Sequence, residues 1–153
     1  MDCSNTPDGR IQPSLEIFYR AIEKSYGSMK GCSPSLKYLL EQGVLLLNTE
    51  LTCKLNKKGS HKGYWDSFQK FFLEYMSSKT GIVYVLSGEI SQSIKGYIQP
   101  LGNHIFETEH PAAAARQERE WNCFDIFKRI DLLTGDKIYW KEEDFVKFNE
   151  PPF

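Results

Sequence analysis

At 153 residues, with 41% hydrophobic and 25% charged content, the chain has the length and balance of one globular domain with a buried core. A net charge of −1 supplies no bulk attraction to nucleic acid, so any such binding must come from a local patch. No run approaches the roughly eighteen consecutive apolar residues of a membrane span, and the opening Met1-Asp2-Cys3-Ser4-Asn5-Thr6 lacks the basic and apolar regions of a signal peptide. Cys3, Cys32, Cys53 and Cys123 are irregularly separated, and no pair has metal-ligand spacing. They are expected to be free thiols in a reducing, intracellular compartment (cytoplasm or nucleus), with no metal or cofactor.

Residues 1–13 are polar and turn-rich. From Ser14 the pattern becomes helical, with Leu15, Phe18, Ile22 and Tyr26 at three- and four-residue steps and Gly27 near the end. Gly31 to Pro34 reads as a connection, and Leu36, Leu39 and Leu40 as a short helix. The apolar run Val44-Leu45-Leu46-Leu47, halted by Asn48, predicts a buried strand. A basic loop, Lys54 to Gly63, follows. Trp65, Phe68, Phe72 and Tyr75 mark a helical face closed by Ser77-Ser78.

Ile82 to Leu86 is a second expected strand, stopped by Ser87-Gly88, and Ile105 to Thr108 a third, stopped by Glu109-His110-Pro111. One helix is expected through Trp121, Phe124, Phe127, Ile130 and Leu133, ending at Thr134-Gly135-Asp136. Trp65 and Trp121 fall on apolar helical faces and read as core rather than base-stacking residues. Helices alternating with short apolar strands indicate α/β architecture with a parallel sheet, in one domain spanning 1–153.

In such a sheet the strand carboxyl ends share one edge, where ligands bind. Asn48, Ser87-Gly88 and His110 would then face a common crevice. Asn48 offers a donor and an acceptor side by side, suited to a base edge. His110 can donate a hydrogen bond to an oxygen gaining negative charge. Each also has a plainer reading: Asn starts turns, and a His beside a Pro is commonly structural.

With these residues the chain resembles the uracil-DNA glycosylase family, in the branch with a Leu-Leu-Leu-Asn strand end and a later His-Pro. The resemblance covers about residues 13–140: Pro13-Ser14-Leu15-Glu16, Gln42 through Thr52, Ser60-His61 with Trp65 and Phe68, Val85-Leu86-Ser87-Gly88, Thr108-Glu109-His110-Pro111, and Ile138-Tyr139-Trp140. It implies a three-layer αβα fold, and base-excision repair by hydrolysis of the uracil–deoxyribose bond after the nucleotide is flipped out. Asn48 would read the uracil edge and His110 would stabilise the departing base. Ser60, His61, Lys57, Lys58 and Lys62 would contact the backbone of single- or double-stranded DNA, the protein acting as a monomer and away from membranes.

The departures are specific. The family's water-activating Gly-Gln-Asp-Pro-Tyr-His is absent, and so is the central first strand that precedes it, in a sheet of order 2-1-3-4. Ala112 to Ala115 replace the usual Ser-Pro-Leu-Ser, leaving Arg116 and Arg119 as candidate phosphate contacts. The expectation is the C-terminal portion of a longer glycosylase, inactive or impaired as this short chain. A rival arrangement pairs the strand ending at Asn48 directly with the one ending at Leu86. The alternative functions are a non-catalytic module gripping DNA or a replication partner, and a remnant that does not fold alone.

Overall fold

The helix expected from Ser14 is α1, Pro13–Tyr26, in a computed structural model that describes residues 11–29, 35–135 and 138–149. Pro13 sits where a helix needs no donor, and the Gln12 carbonyl accepts from the Leu15 and Glu16 amides. Gly27, at φ 83°, ends the helix in a conformation open mainly to glycine. The expected connection Gly31 to Pro34 lies outside the described residues, as do Cys3 and Cys32.

The residues group into two compact units. Unit 1 runs up to Leu46 and resumes at Glu109; unit 2 is Leu47–Thr108. Unit 1 contains α1, α2 (Lys37–Leu40), α3 (Pro111–Arg116), α4 (Ile126–Thr134) and α5 (Glu142–Asn149). α1 packs on α3 and α4. Ala114 is fully enclosed, because only a small side chain lets α1 and α3 approach closely.

The core of unit 1 is aromatic. Phe127 meets Phe18 edge-on at 5.3 Å and Trp140 at 4.8 Å, with Trp121 at 6.3 Å. Asp131 of α4 accepts from the Tyr26 hydroxyl at 2.5 Å and from the Trp140 indole at 3.0 Å, satisfying two polar tips that would otherwise be costly to bury. Burial, and then the Asp131 carboxylate, push the Tyr26 phenol well above its usual pKa.

The helix expected through Trp121 and Phe124 begins later, at Ile126. Phe124 and Asp125 stand at φ 51° and 53°, left-handed values that no α-helix contains. Trp121 is nevertheless core, as expected, but from a non-helical segment. The Ala112–Ala115 run and the acidic start of α5 each form a helix that periodicity did not mark, α3 being too short to show a repeat.

Unit 2 is built from α6 (Asp66–Ser77), β1 (Val83–Ser87), α7 (Glu89–Ser93), a 3₁₀ turn (Lys95–Tyr97) and β2 (His104–Thr108). β1 and β2 pair in parallel, Val83 opposite His104 through Ser87 opposite Thr108. Leu73, Leu86 and Ile98 form its core, with Tyr84, Tyr97 and Ile105 against them. The Asn103 amide staples the unit: its oxygen accepts from Ile82 N–H and its nitrogen donates to the Ser77, Lys79 and Gln99 carbonyls.

The strand expected at Val44–Leu47 is not formed among the described residues. The segment has the alternating exposure of an extended chain, with Leu45 53% and Leu47 38% exposed, but it joins no ladder. A run of leucines supplies the apolar face of a strand and not its hydrogen-bonding partner.

Candidate functional site

His110 opens α3 as its N-cap. Its Nδ1 accepts from the Ala112 amide at 3.1 Å, so that nitrogen carries no proton and the neutral ring keeps its proton on Nε2. Partial burial, and secondarily the Arg116 cation, hold the imidazole below its usual 6.5. The result is a neutral ring with one N–H donor, at an exposed position. A neutral imidazole is the form that polarises an oxygen without first losing a charge.

Glu109, which the sequence reading passed over, fixes that position. Its carbonyl accepts from the Trp121 indole at 2.8 Å. Its carboxylate takes both terminal nitrogens of Arg119 at 2.6 Å and the Asn122 amide at 3.0 Å. Arg119 first, then Asn122, bring the Glu109 pKa down to about 2. Arg119, though exposed, is therefore engaged with a carboxylate, whereas the exposed Arg116 forms no salt bridge with a described residue.

Asn48 lies in unit 2 and is exposed, and its side-chain amide makes no hydrogen bond among the described residues. Its backbone is held by Gln69, which is 3% exposed on α6 and donates from Nε2 to the Asn48 and Thr49 carbonyls, both at 3.1 Å. Gln69 was missed. Its signal was an amide on the buried stripe that continues through Leu73 and Ser77. The Ser87 hydroxyl is turned to Thr108 Oγ1 at 3.0 Å, and Gly88 N–H to the Thr108 carbonyl, so this strand end is tied to its neighbour.

The basic loop is a series of tight turns, with Asn56, Gly59 and Gly63 at φ 57°, 70° and 82°. Lys54, Lys57, Lys58 and Lys62 are exposed, and none forms a salt bridge with a described residue. Ser60 Oγ accepts from Lys54 N–H at 2.7 Å, which leaves its own proton to give. Thr52 Oγ1 accepts from the Trp65 indole at 3.0 Å and lies 2.8 Å from His61 Nδ1. The His61 ring stacks on Tyr64 at 5.1 Å. Trp65 is half-buried and caps α6; its indole orders the loop.

No protein-family model matches the chain. A uracil-DNA glycosylase of Borreliella burgdorferi is 37% identical over 105 residues, covering 67% of this chain and 47% of that one. Another, from Azobacteroides pseudotrichonymphae, is 35% identical over 133 residues, covering 84% and 60%. The crystal structure of mimivirus uracil-DNA glycosylase shares the fold, with a TM-score of 0.75 at 19% identity over 86% of this chain and 55% of that one. The chain thus spans about half the length of the relatives it matches.

Proposed function

We propose, from the homology of this chain to the uracil-DNA glycosylases, that it serves the hydrolytic removal of uracil from DNA in base-excision repair. The observation that carries this reading is His110: a neutral, exposed imidazole whose Nδ1 is occupied and whose free N–H is on Nε2. Breaking the glycosidic bond sends the bonding electrons onto the base, and charge develops on the carbonyl oxygen beside the cleaved nitrogen. A donor aimed at that oxygen lowers the barrier because it is stronger in the transition state than in the ground state. For Asn48 the proposed role is recognition of a uracil edge: its carbonyl accepts from the ring N–H and its amide donates to the adjacent carbonyl. Cytosine presents the reverse order and leaves both groups unpaired.

The DNA backbone is taken up by Lys57, Lys58 and Lys62, with Ser60 and the His61 ring donating to phosphate, and Arg116 as a further cation. The water-activating Gly-Gln-Asp-Pro-Tyr-His is absent from these residues, so the chain alone is impaired in the step that brings in water. The test is abasic-site formation on a uracil-containing oligonucleotide. Replacing His110 with Ala is expected to lower turnover by about 10²–10³-fold, the usual loss on removing one such donor. Turnover untouched by H110A would remove His110 from the mechanism.

A second reading is a DNA-binding module without base release, favoured by the four lysines whose charge no described carboxylate offsets. In the same assay it would appear as salt-sensitive retention of the oligonucleotide with every glycosidic bond intact.

A further inference from the structure

α6 turns large rings away from the core of unit 2. Its buried residues, Gln69, Leu73 and Ser77, follow four-residue steps along one side. At about 100° per residue, Phe68, Phe71 and Tyr75 fall within about 60° of one another on the opposite side. Phe71 is 68% and Tyr75 55% exposed, on the face that a helix of a globular protein gives to polar residues. Their rings lie nearly parallel, 14° apart in plane with centres 6.4 Å apart, and Lys79 Nζ stands 5.1 Å from the centre of the Tyr75 ring. The stripe runs back to the basic loop: Trp65 meets Phe68 edge-on at 5.9 Å, and Tyr64, 77% exposed, carries the stacked His61 ring.

The charge around these rings is predominantly positive. Residues 54–79 contain six lysines against Asp66 and Glu74, within a chain of net charge −1. Glu74 is 4.0 Å from Lys70, and the four loop lysines meet no described carboxylate. An apolar protein partner would use the rings and leave the lysines unanswered. A duplex would answer the lysines and keep its base faces from the rings. An unpaired strand satisfies both, phosphates to the lysines and base faces to the aromatics.

We infer that the outer face of α6 is a stacking track for single-stranded DNA, continuing from the basic loop; it rests on the reading of that loop as a contact to the DNA backbone. Bases lie on Tyr64, Phe68, Phe71 and Tyr75, with loop lysines holding phosphates at one end and Lys79 at the other. From Phe68 to Tyr75 the helix rises about 10 Å, room for two or three nucleotides. The track needs no uracil, because stacking and charge are indifferent to base identity.

The test is fluorescence anisotropy of the 153-residue chain with a labelled, uracil-free oligothymidylate of about twelve nucleotides, within the span such sites cover, beside a duplex of the same length. The single strand is expected to bind at least tenfold tighter. Phe71→Leu with Tyr75→Leu keeps apolar area and helix propensity but removes the stacking faces. It is expected to weaken single-strand binding about 10–100-fold, with duplex binding, melting temperature and salt slope unchanged. Lys57→Ala with Lys58→Ala is expected to flatten the salt dependence instead. A ring effect with an unaltered salt slope in that lysine variant would support the track and refute the loop reading, so the two fail separately. Single-strand affinity untouched by the leucine variant would overturn the inference, as would equal binding of the duplex. Tighter binding of an RNA oligomer of the same length would make RNA the occupant and overturn it. If Phe71→Ser with Tyr75→Ser dissolves a self-association of the chain without weakening the oligonucleotide complex, the face belongs to a second copy and the inference falls.

Discussion

The two units hold their candidate residues by different means. In unit 1, His110 follows a residue gripped through both its carbonyl and its carboxylate, and the supporting groups come from a continuous aromatic core around Phe127. In unit 2, Asn48 sits on an unpaired segment whose backbone is retained by a single amide, Gln69. The core there is smaller, and its sheet has two strands among the described residues. The lesson is that His110, the proposed leaving-group donor, stands on a firmly tied support, whereas Asn48, the proposed base reader, stands on a segment that joins no ladder among the described residues. The contrast is visible in backbone hydrogen bonds before any chemistry is considered.

The contrast is most strongly tested in the core of unit 1. Phe127→Ala removes a ring shared by Phe18, Trp121 and Trp140 and is expected to cost about 3–5 kcal/mol in urea unfolding. A loss below about 1 kcal/mol, the range of a surface substitution, would mean the aromatic cluster does not hold the unit together. Gln69→Ala is a smaller change in unit 2, expected at about 1–2 kcal/mol for the loss of two part-buried hydrogen bonds. Its sharper signature is local: exchange at the amides following Thr49 should accelerate, and uracil discrimination should weaken. If neither changes, Gln69 is not the support of the reader.

The smallest effect is in pH. His110 has a pKa below 6.5 in the folded chain, so the unfolded chain binds the proton more tightly. Its contribution to stability is therefore complete above pH 6.5 and is lost as pH falls through the lowered value, when protonated Nδ1 can no longer accept from Ala112. Glu109 behaves likewise further down, its contribution present above 4.5 and lost toward about 2. The pair with Arg119 is open to solvent, so screening keeps its contribution small. An NMR titration of the His110 ring should show the Nε2–H tautomer at neutral pH; an Nδ1–H form would contradict the capping geometry.

Much of this was legible in the residues. α1 and α6 carry long apolar stripes, and β1 and β2 are apolar runs bounded by turn residues, so each emerged within one or two residues of its place, although α6 buries Gln69, Leu73 and Ser77 and leaves Phe68 and Tyr75 of the expected face exposed. The Gly135 stop also fell where expected, in the left-handed conformation. The failures have physical causes. Val44–Leu47 has the composition of a strand, but strand formation depends on a partner that local sequence does not contain. Phe124 fits a helical period by its hydrophobicity while its backbone is left-handed, so the expected helix began at Trp121 instead of Ile126. His110 was visible just past the end of β2 and Asn48 was expected at the end of a strand that does not form, but Gln69 and Glu109, which support them, act through bonds that no residue pattern announces.

The three tryptophans are distributed so that optical spectroscopy can separate these regions. Trp121 and Trp140 are buried in unit 1, with their indole protons given to the Glu109 carbonyl and the Asp131 carboxylate. Trp65 is in unit 2, at the foot of the basic loop, with its proton on Thr52. A chain retaining only Trp65, the other two replaced by Phe, would emit from beside the loop alone. Its spectral shift on adding an oligonucleotide would report the loop directly, while a chain retaining only Trp121 would report the ground on which His110 stands.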